Sequence, residues 1–196
     1  MRALVFGGSG ALARSLNEVL IARGWSVDLI VRAPPAVTGP VPPTYATTRT
    51  IVAEGGYAAF APDGPYDACF LPQAVFFKKP LAETTDEEID LAVTAGLTDI
   101  IKCLRNLLRL APQSERRTDY CLIGSTSSYA GFRDTAVYCA VKHGLLGLVR
   151  ALNDEYAQTP RRFWLASIGA MDTPMGRLLT DQDPACTRRV AACART

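Results

Sequence analysis

The strongest constraint on what this chain can fold into lies in its first 31 residues. An apolar run over Arg2–Phe6 breaks at the glycine-rich string FGGSGALA. A helical stretch over Ala11–Ala22 follows, with Gly24 at its end, and a second apolar run occupies residues 27–31. Short continuous apolar runs of this kind read as strands buried on both faces. Two such strands joined through a helix lie parallel and require a right-handed crossover. The expected class is therefore α/β, with helices covering both faces of a parallel sheet.

The rest of the chain extends this pattern. Residues 33–43, APPAVTGPVPP, read as a loop, because proline removes backbone donors and clashes with the preceding helical turn. Residues 47–52 and 67–71 read as third and fourth strands. Thr85, Asp86, Glu87 and Glu88 form a capping-box pattern. Behind it Ile89, Val93, Leu97, Ile100, Leu104 and Leu107 repeat at helical steps, which predicts one long helix with a single apolar stripe. PQSERRTD closes that helix. A fifth strand is expected over residues 120–124, a helix over 135–156 and a sixth strand over 163–168. With no internal repeat and 48% hydrophobic residues in 196, residues 1–196 are expected to form one domain around one core.

Charge and cysteine usage exclude some functions. The formal net charge of +2 is small and the basic residues are scattered, which argues against nucleic-acid and membrane-surface partners and for a small-molecule or protein partner. Cys69, Cys103, Cys121, Cys139, Cys186 and Cys193 show no CxxC pair and no zinc spacing, so no metal site is expected and the thiols read as free structural residues. Absence of an export signal and of a long apolar span leads to the expectation of a soluble, cytoplasmic protein.

The glycine string sits where a strand meets a helix, the setting in which glycines let backbone approach a pyrophosphate beside a helix N-terminus. Gly7, Gly8, Ser9, Gly10, Ala11 and Leu12 are the residues that would wrap it. Either Gly7, Gly10 and Ala13 form GxxGxxG with one glycine replaced, or Gly7, Ala11 and Ala13 form GxxxGxG with two replaced. At the end of the second strand, an acid would hold a ribose 2′-hydroxyl and a base a 2′-phosphate. Val31 stands in the acid's place and Arg32 follows, with Arg14 in the first helical turn. NADP(H) is thereby favoured over NAD(H).

Within GSTSSYAGFRDTAVYCAVK, residues 124–142, Tyr138 and Lys142 lie one helical turn apart on one face. An ammonium beside a phenol favours the phenolate, which would make Tyr138 useful near neutral pH. Ser125 lies thirteen residues upstream, within reach of a loop returning across the helix N-terminus. His143 is rotated some 140° from Tyr138, which excludes serine-histidine chemistry on this face.

Taken with IGAMDTPM at 168–175, this order of motifs resembles the short-chain dehydrogenase/reductase family, over residues 2 to about 176. The resemblance implies a Rossmann-like doubly wound sheet of about six strands, the family's seventh being absent. It implies Ser125, Tyr138 and Lys142 as catalytic residues: Tyr138 passes the proton, Lys142 holds the nicotinamide ribose and lowers the tyrosine pKa, and Ser125 orients the substrate oxygen. Ile168, Gly169 and Thr173 would sit at the cofactor, Thr173 at its carboxamide end. A homodimer or homotetramer through residues 89–108 and 135–156 is also implied.

Three positions depart from the family pattern. LPQA at 71–74 stands where the family carries an NNAG-like stretch, so Leu71, Pro72 and Gln73 form an altered cofactor wall. Thr94 falls at or near the position of the family's helix asparagine, and Ile168 replaces the usual proline. The chain also ends at Thr196, short of the family's usual substrate lid. The leading expectation is reduction of a carbonyl, or oxidation of an alcohol, on a small-to-medium organic substrate. An enzyme of this fold without net redox chemistry (epimerase, dehydratase or cyclase) and a non-catalytic nucleotide-binding regulator remain as alternatives.

Overall fold

The computed structural model describes residues 1–7, 10–31, 48–53, 64–110, 116–169, 171 and 175–177. Among these described residues six strands form one sheet: β1 (Arg2–Phe6), β2 (Ser26–Val31), β3 (Thr48–Val52), β4 (Ala68–Leu71), β5 (Thr118–Ser125) and β6 (Arg161–Ile168). They lie in the order β3-β2-β1-β4-β5-β6, and every neighbouring pair is parallel. This is the doubly wound Rossmann order, in which connections leave the sheet in opposite directions from β1 and β4. A crevice therefore opens between the carboxyl ends of those two strands.

Side chains of β1 alternate between two cores, which explains why the run is apolar throughout. Ala3 and Val5 pack with Val27, Leu29 and the inner face of α1 (Ala11–Ala22), represented by Ala13 and Leu20. Leu4 and Phe6 face the opposite core, with Ile30, Leu71, Tyr120, Leu122 and Phe163. At the end of α1 the Gly24 amide donates to the Ile21 carbonyl at 2.8 Å and that of Trp25 to Leu20 at 3.0 Å, closing the helix where the sequence predicts.

The second core is roofed by two helical elements. Thr85 and Glu88 make the full capping box that opens α2 (Asp86–Val93). A π-helical turn over Thr94–Thr98 then interrupts the helix before α3 (Asp99–Leu110), so the single long helix expected is two helices around a wide turn. Ile100, Leu104 and Leu107 supply the buried stripe, joined by Leu145, Val149 and Leu152 of α4 (Ala136–Glu155). Gly96, inside the π turn, permits close contact with α4, since a Cβ there would meet Val141 Cγ1 at 2.7 Å.

Both β5 and β6 begin two residues earlier than their apolar runs. The added residues are polar but still paired, Thr118 with Arg161 and Asp119 with Arg162. Asp119 is held by Arg117 at 2.9 Å and accepts from Trp164 Nε1 at 2.7 Å. Ladder pairing and side-chain ion pairing thus extend strands that hydrophobicity alone would stop. Cys69, Cys103, Cys121 and Cys139 are free thiols, while Cys186, Cys193 and the loop expected at 33–43 lie outside the described residues. Among the described residues no helix is long and apolar enough to cross a membrane.

Candidate active site

Ser125 closes β5 and passes the chain into a short 3-10 turn, Thr126–Ser128. Its side chain is locked there: Ser125 Oγ accepts from the Ser127 amide at 3.1 Å, and the Ser125 amide donates to Ser128 Oγ at 3.1 Å. The serine-rich string behaves as a miniature capping box, which satisfies the backbone donors of the turn. Ser128 is fully buried. The spacing of Ser125 and Ser128 carried that signal, although the sequence reading assigned Ser128 no part.

Tyr138 and Lys142 project from the first turns of α4 toward the carboxyl end of β5. Lys142 is 1% exposed, and its Nζ donates to the Ile123 carbonyl at 2.7 Å. The same nitrogen lies 5.5 Å from the centroid of the Tyr138 ring. Burial lowers the Lys142 ammonium from the ordinary lysine value to about 8. Ser125, Tyr138 and Lys142 are thus brought together, and a backbone carbonyl that no side-chain pattern could reveal fixes the lysine.

One expectation fails. Lys142 does not lower the Tyr138 pKa here: burial pushes the phenol up, and a hydrogen bond with the Ser125 side chain only partly offsets that. The physical reason is the neighbourhood. Phe76, itself buried, meets the Tyr138 ring edge to face with centroids 4.9 Å apart, and the lysine charge is turned to Ile123 rather than to the phenol oxygen. Burial of the phenol therefore outweighs its ammonium neighbour.

Segment 72–80 carries Phe76 to this position. It leaves the end of β4 and is anchored beside α4, where the Lys79 amide donates to the Asp134 carbonyl at 2.7 Å. Asp134 holds a left-handed φ of 59°, a conformation that aspartate tolerates better than most residues. Phe76 and Asp134 were not foreseen, because contacts between a loop and a helix entry leave no periodic trace. Leu71 is buried, Pro72 is partly buried, and the Gln73 amide group is buried without a hydrogen-bond partner. Thr94 is exposed at the start of the π turn.

At the glycine string, Gly7 takes a φ of 67°, and its carbonyl accepts from the Gly10 amide at 2.9 Å. Gly10 caps α1 without a side-chain bond, and no acid stands in the first turn. Ala11 and Leu12 follow in that turn, so its free N–H groups suit an anionic phosphate. Gly8, Ser9, Arg32 and Thr173 lie outside the described residues. Ile168 ends β6 opposite Ser125, and Gly169 follows, exposed. The uncapped helix end and the unpartnered Gln73 amide fit a nicotinamide dinucleotide lying across the β1–β4 crevice.

The family model described as enoyl-(acyl carrier protein) reductase matches residues 64–194, about two thirds of the chain. The chain belongs to the short-chain dehydrogenase/reductase family. Among curated relatives, short-chain dehydrogenase/reductase ABA4 of Pyricularia oryzae is 31% identical over 96 residues, covering 49% of this chain and 35% of the relative. The 3-dehydrosphinganine reductase TSC10B of Arabidopsis thaliana is 24% identical over 199 residues, covering 96% of this chain and 60% of the relative. This family member therefore spans less than two thirds of the length of either relative. In fold it resembles the 3-ketoacyl-(acyl-carrier-protein) reductase of Brucella melitensis complexed with NADH, with a TM-score of 0.79 and 16% identity over 90% of this chain and 78% of that one.

Proposed function

We propose that this oxidoreductase-family chain is an NADP(H)-dependent enzyme that reduces a carbonyl group of a small-to-medium organic substrate, or oxidises the matching alcohol. The observation that carries the reading is the convergence of Ser125, Tyr138 and Lys142 at the carboxyl end of β5, with Lys142 bonded to Ile123 and Ser125 paired with Tyr138. A bound nicotinamide supplies or accepts the hydride. The chain itself handles the proton and the oxygen.

Because burial holds the Tyr138 phenol above its ordinary pKa, it stays protonated at neutral pH and suits proton donation to a carbonyl oxygen. Ser125, fixed by Ser127 and Ser128, donates a second hydrogen bond to that oxygen as negative charge develops on it. Lys142 supplies positive charge beneath the tyrosine and holds the nicotinamide-side ribose. These roles favour the reductive direction, as do the reductase names of the relatives. Preference for NADP(H) rests on Arg32, with Arg14, in place of an acid after β2. Pairing of the α2–α3 and α4 faces between two copies, residues 89–108 and 135–156, is the proposed assembly.

The test is binding of NADPH and NADH by fluorescence, followed by turnover of a ketone panel read as loss of reduced-nicotinamide absorbance. Tighter NADPH binding is expected, with Tyr138→Phe lowering kcat by about 10²–10⁴-fold. Absence of binding to either nucleotide overturns the reading. Turnover that survives in Tyr138→Phe removes the tyrosine from it.

A further inference from the structure

Arginines that are scattered along the sequence are gathered by the topology. In a parallel sheet every strand begins at the same end, and Arg2, Arg49, Arg116, Arg117, Arg161 and Arg162 each stand within two residues of the start of β1, β3, β5 or β6. The acids paired with them are Asp28, Asp67 and Asp119. The helices run back to this end, where Arg23 after α1 and Arg109 in the last turn of α3 balance Asp154 and Glu155 of α4. Among the described residues, six arginines against three aspartates give the amino end of the sheet more positive charge than the +2 of the whole chain.

Burial sorts these charges by sign. In the pairs Arg49–Asp28, Arg116–Asp67 and Arg117–Asp119 the arginine side chains are 47%, 63% and 62% exposed, and the aspartates 8%, 15% and 31%. The carboxylates lie inward and the guanidinium groups outward, so this end presents positive charge to solvent.

One corner adds an aromatic anchor. Trp164 of β6, the outermost strand on that side, is 52% exposed. Its Nε1 donates to Asp119 Oδ1 at 2.7 Å, and Arg117 donates to the same carboxylate from Nε at 3.0 Å and Nη2 at 2.9 Å. Arg162, the ladder neighbour of Asp119, is fixed by donating from Nη1 to the carbonyls of Thr159 at 2.7 Å and Arg161 at 2.8 Å. One tryptophan and two arginines are thus held in place before any partner arrives, which lowers the ordering cost of binding. These are the side-chain types that carry most of the binding energy at protein interfaces.

Charge decides the partner. A second copy presenting the same corner would set Arg117 and Arg162 against their own images. A nucleic-acid backbone offers an unbroken row of phosphates, which Asp67 and Asp119 among the arginines would repel. A small anion would reach the arginines but leave the Trp164 ring in water. We infer that the corner formed by Arg117, Arg162 and Trp164 is a docking surface for an acidic segment of a partner protein, whose carboxylates face the arginines while an apolar side chain covers the indole. This corner lies at the opposite end of β5 from Ser125, so a seated partner leaves the catalytic crevice open. The surface is independent of the function proposed above.

The experiment follows a fluorescein-labelled, glutamate-rich peptide with a central leucine by anisotropy, with its lysine-rich counterpart and a short labelled oligothymidylate alongside. The parent protein binds the glutamate peptide at low salt, releases it as salt is raised and leaves the lysine peptide free. Arg117→Gln combined with Arg162→Gln, and Trp164→Ala by itself, each weaken the glutamate peptide about tenfold. Arg105→Gln on α3 binds it as the parent does. A parent that does not bind the glutamate peptide overturns the proposal, as does binding that the corner variants leave unchanged. Equal weakening in Arg105→Gln also overturns it, because the effect is then one of overall charge. Tighter binding of the oligothymidylate overturns it in favour of nucleic acid, and self-association of the parent that is lost in Trp164→Ala, with no peptide bound, in favour of a second copy.

Discussion

Phe76 meets Tyr138 edge to face, with ring centroids 4.9 Å apart and planes at 89°. The contact ties the loop after β4 to the first turn of α4 and removes one side of the phenol ring from water. Replacing Phe76 with Ala opens that side. Since burial is the largest cause of the raised Tyr138 pKa, hydration moves it back down toward the ordinary value. A tyrosinate absorbance titration, taken as the difference from Tyr138→Phe in each background, should show the lower midpoint. Stability should fall by about 3–5 kcal/mol, as for other large-to-small aromatic replacements in a core. An unchanged midpoint would show that Phe76 does not set the tyrosine environment.

Lys142 gives a pH prediction of a definite sign. Its folded pKa is depressed to about 8, so below that pH the folded protein bears the full cost of a buried ammonium. Between about 8 and the ordinary lysine value the unfolded chain holds more protons than the folded one, and this group's share of stability rises with pH. Lys142→Met removes the cost, about 3 kcal/mol by the size of the shift, and gives back about 1 kcal/mol by orphaning the Ile123 carbonyl. The variant should unfold at higher denaturant at pH 7, and its advantage should shrink as pH rises through that window. Buried thiols act oppositely above about pH 9, Cys103 being pushed up to about 12, so the difference between the two proteins is the quantity to follow. A difference independent of pH would mean that Lys142 keeps its ordinary pKa in the folded protein.

These two cases show what the sequence could carry. Tyr138 and Lys142 were legible because a one-turn spacing on an amphipathic helix dictates a shared face. The sheet was legible because strands buried on both sides must be apolar, as Leu4 and Val5 are toward opposite cores. Sequence spacing was silent on what lies across the fold. The Ile123 carbonyl that holds Lys142, the Phe76 ring against Tyr138 and the Asp134 carbonyl that anchors Lys79 are backbone or loop contacts without a period. The sign of the tyrosine shift is not legible in the sequence for the same reason: a nearby ammonium can be counted from spacing, but burial by a loop cannot.

Ser125 has a structural duty besides the role proposed for it. Its Oγ accepts from the Ser127 amide, so Ser125→Ala leaves a buried donor in the turn and should cost about 1 kcal/mol. If the hydroxyl also steadies the substrate oxygen, kcat should drop about 10²-fold. Ser125→Thr keeps a hydroxyl and should recover both. Urea unfolding and steady-state kinetics on the same preparations separate the two effects, because a purely structural serine would lose stability with kcat unaltered.

The amino end of the sheet offers the matching control. Asp28 of β2 is 6% exposed and is bound by Arg2 at 2.6 Å, Arg49 at 2.8 Å and Tyr66 at 2.7 Å, joining three strands to the residues before β4. Burial works to raise its carboxyl, but the bonds from Arg49, Tyr66 and Arg2 outweigh it and hold the pKa below the ordinary value. A depressed carboxylate contributes stability that is fully present above its unfolded pKa, near 4, and is lost as pH falls through the folded value. Asp28→Ala should thus cost about 1–3 kcal/mol at pH 7 by taking the shared anion from two partly exposed guanidinium groups. The gap to the parent should narrow under acid. Because these residues face away from the carboxyl ends of β1, β4 and β5, nucleotide affinity and kcat in the folded variant should match the parent. An affinity that fell with stability would instead join this network to the site.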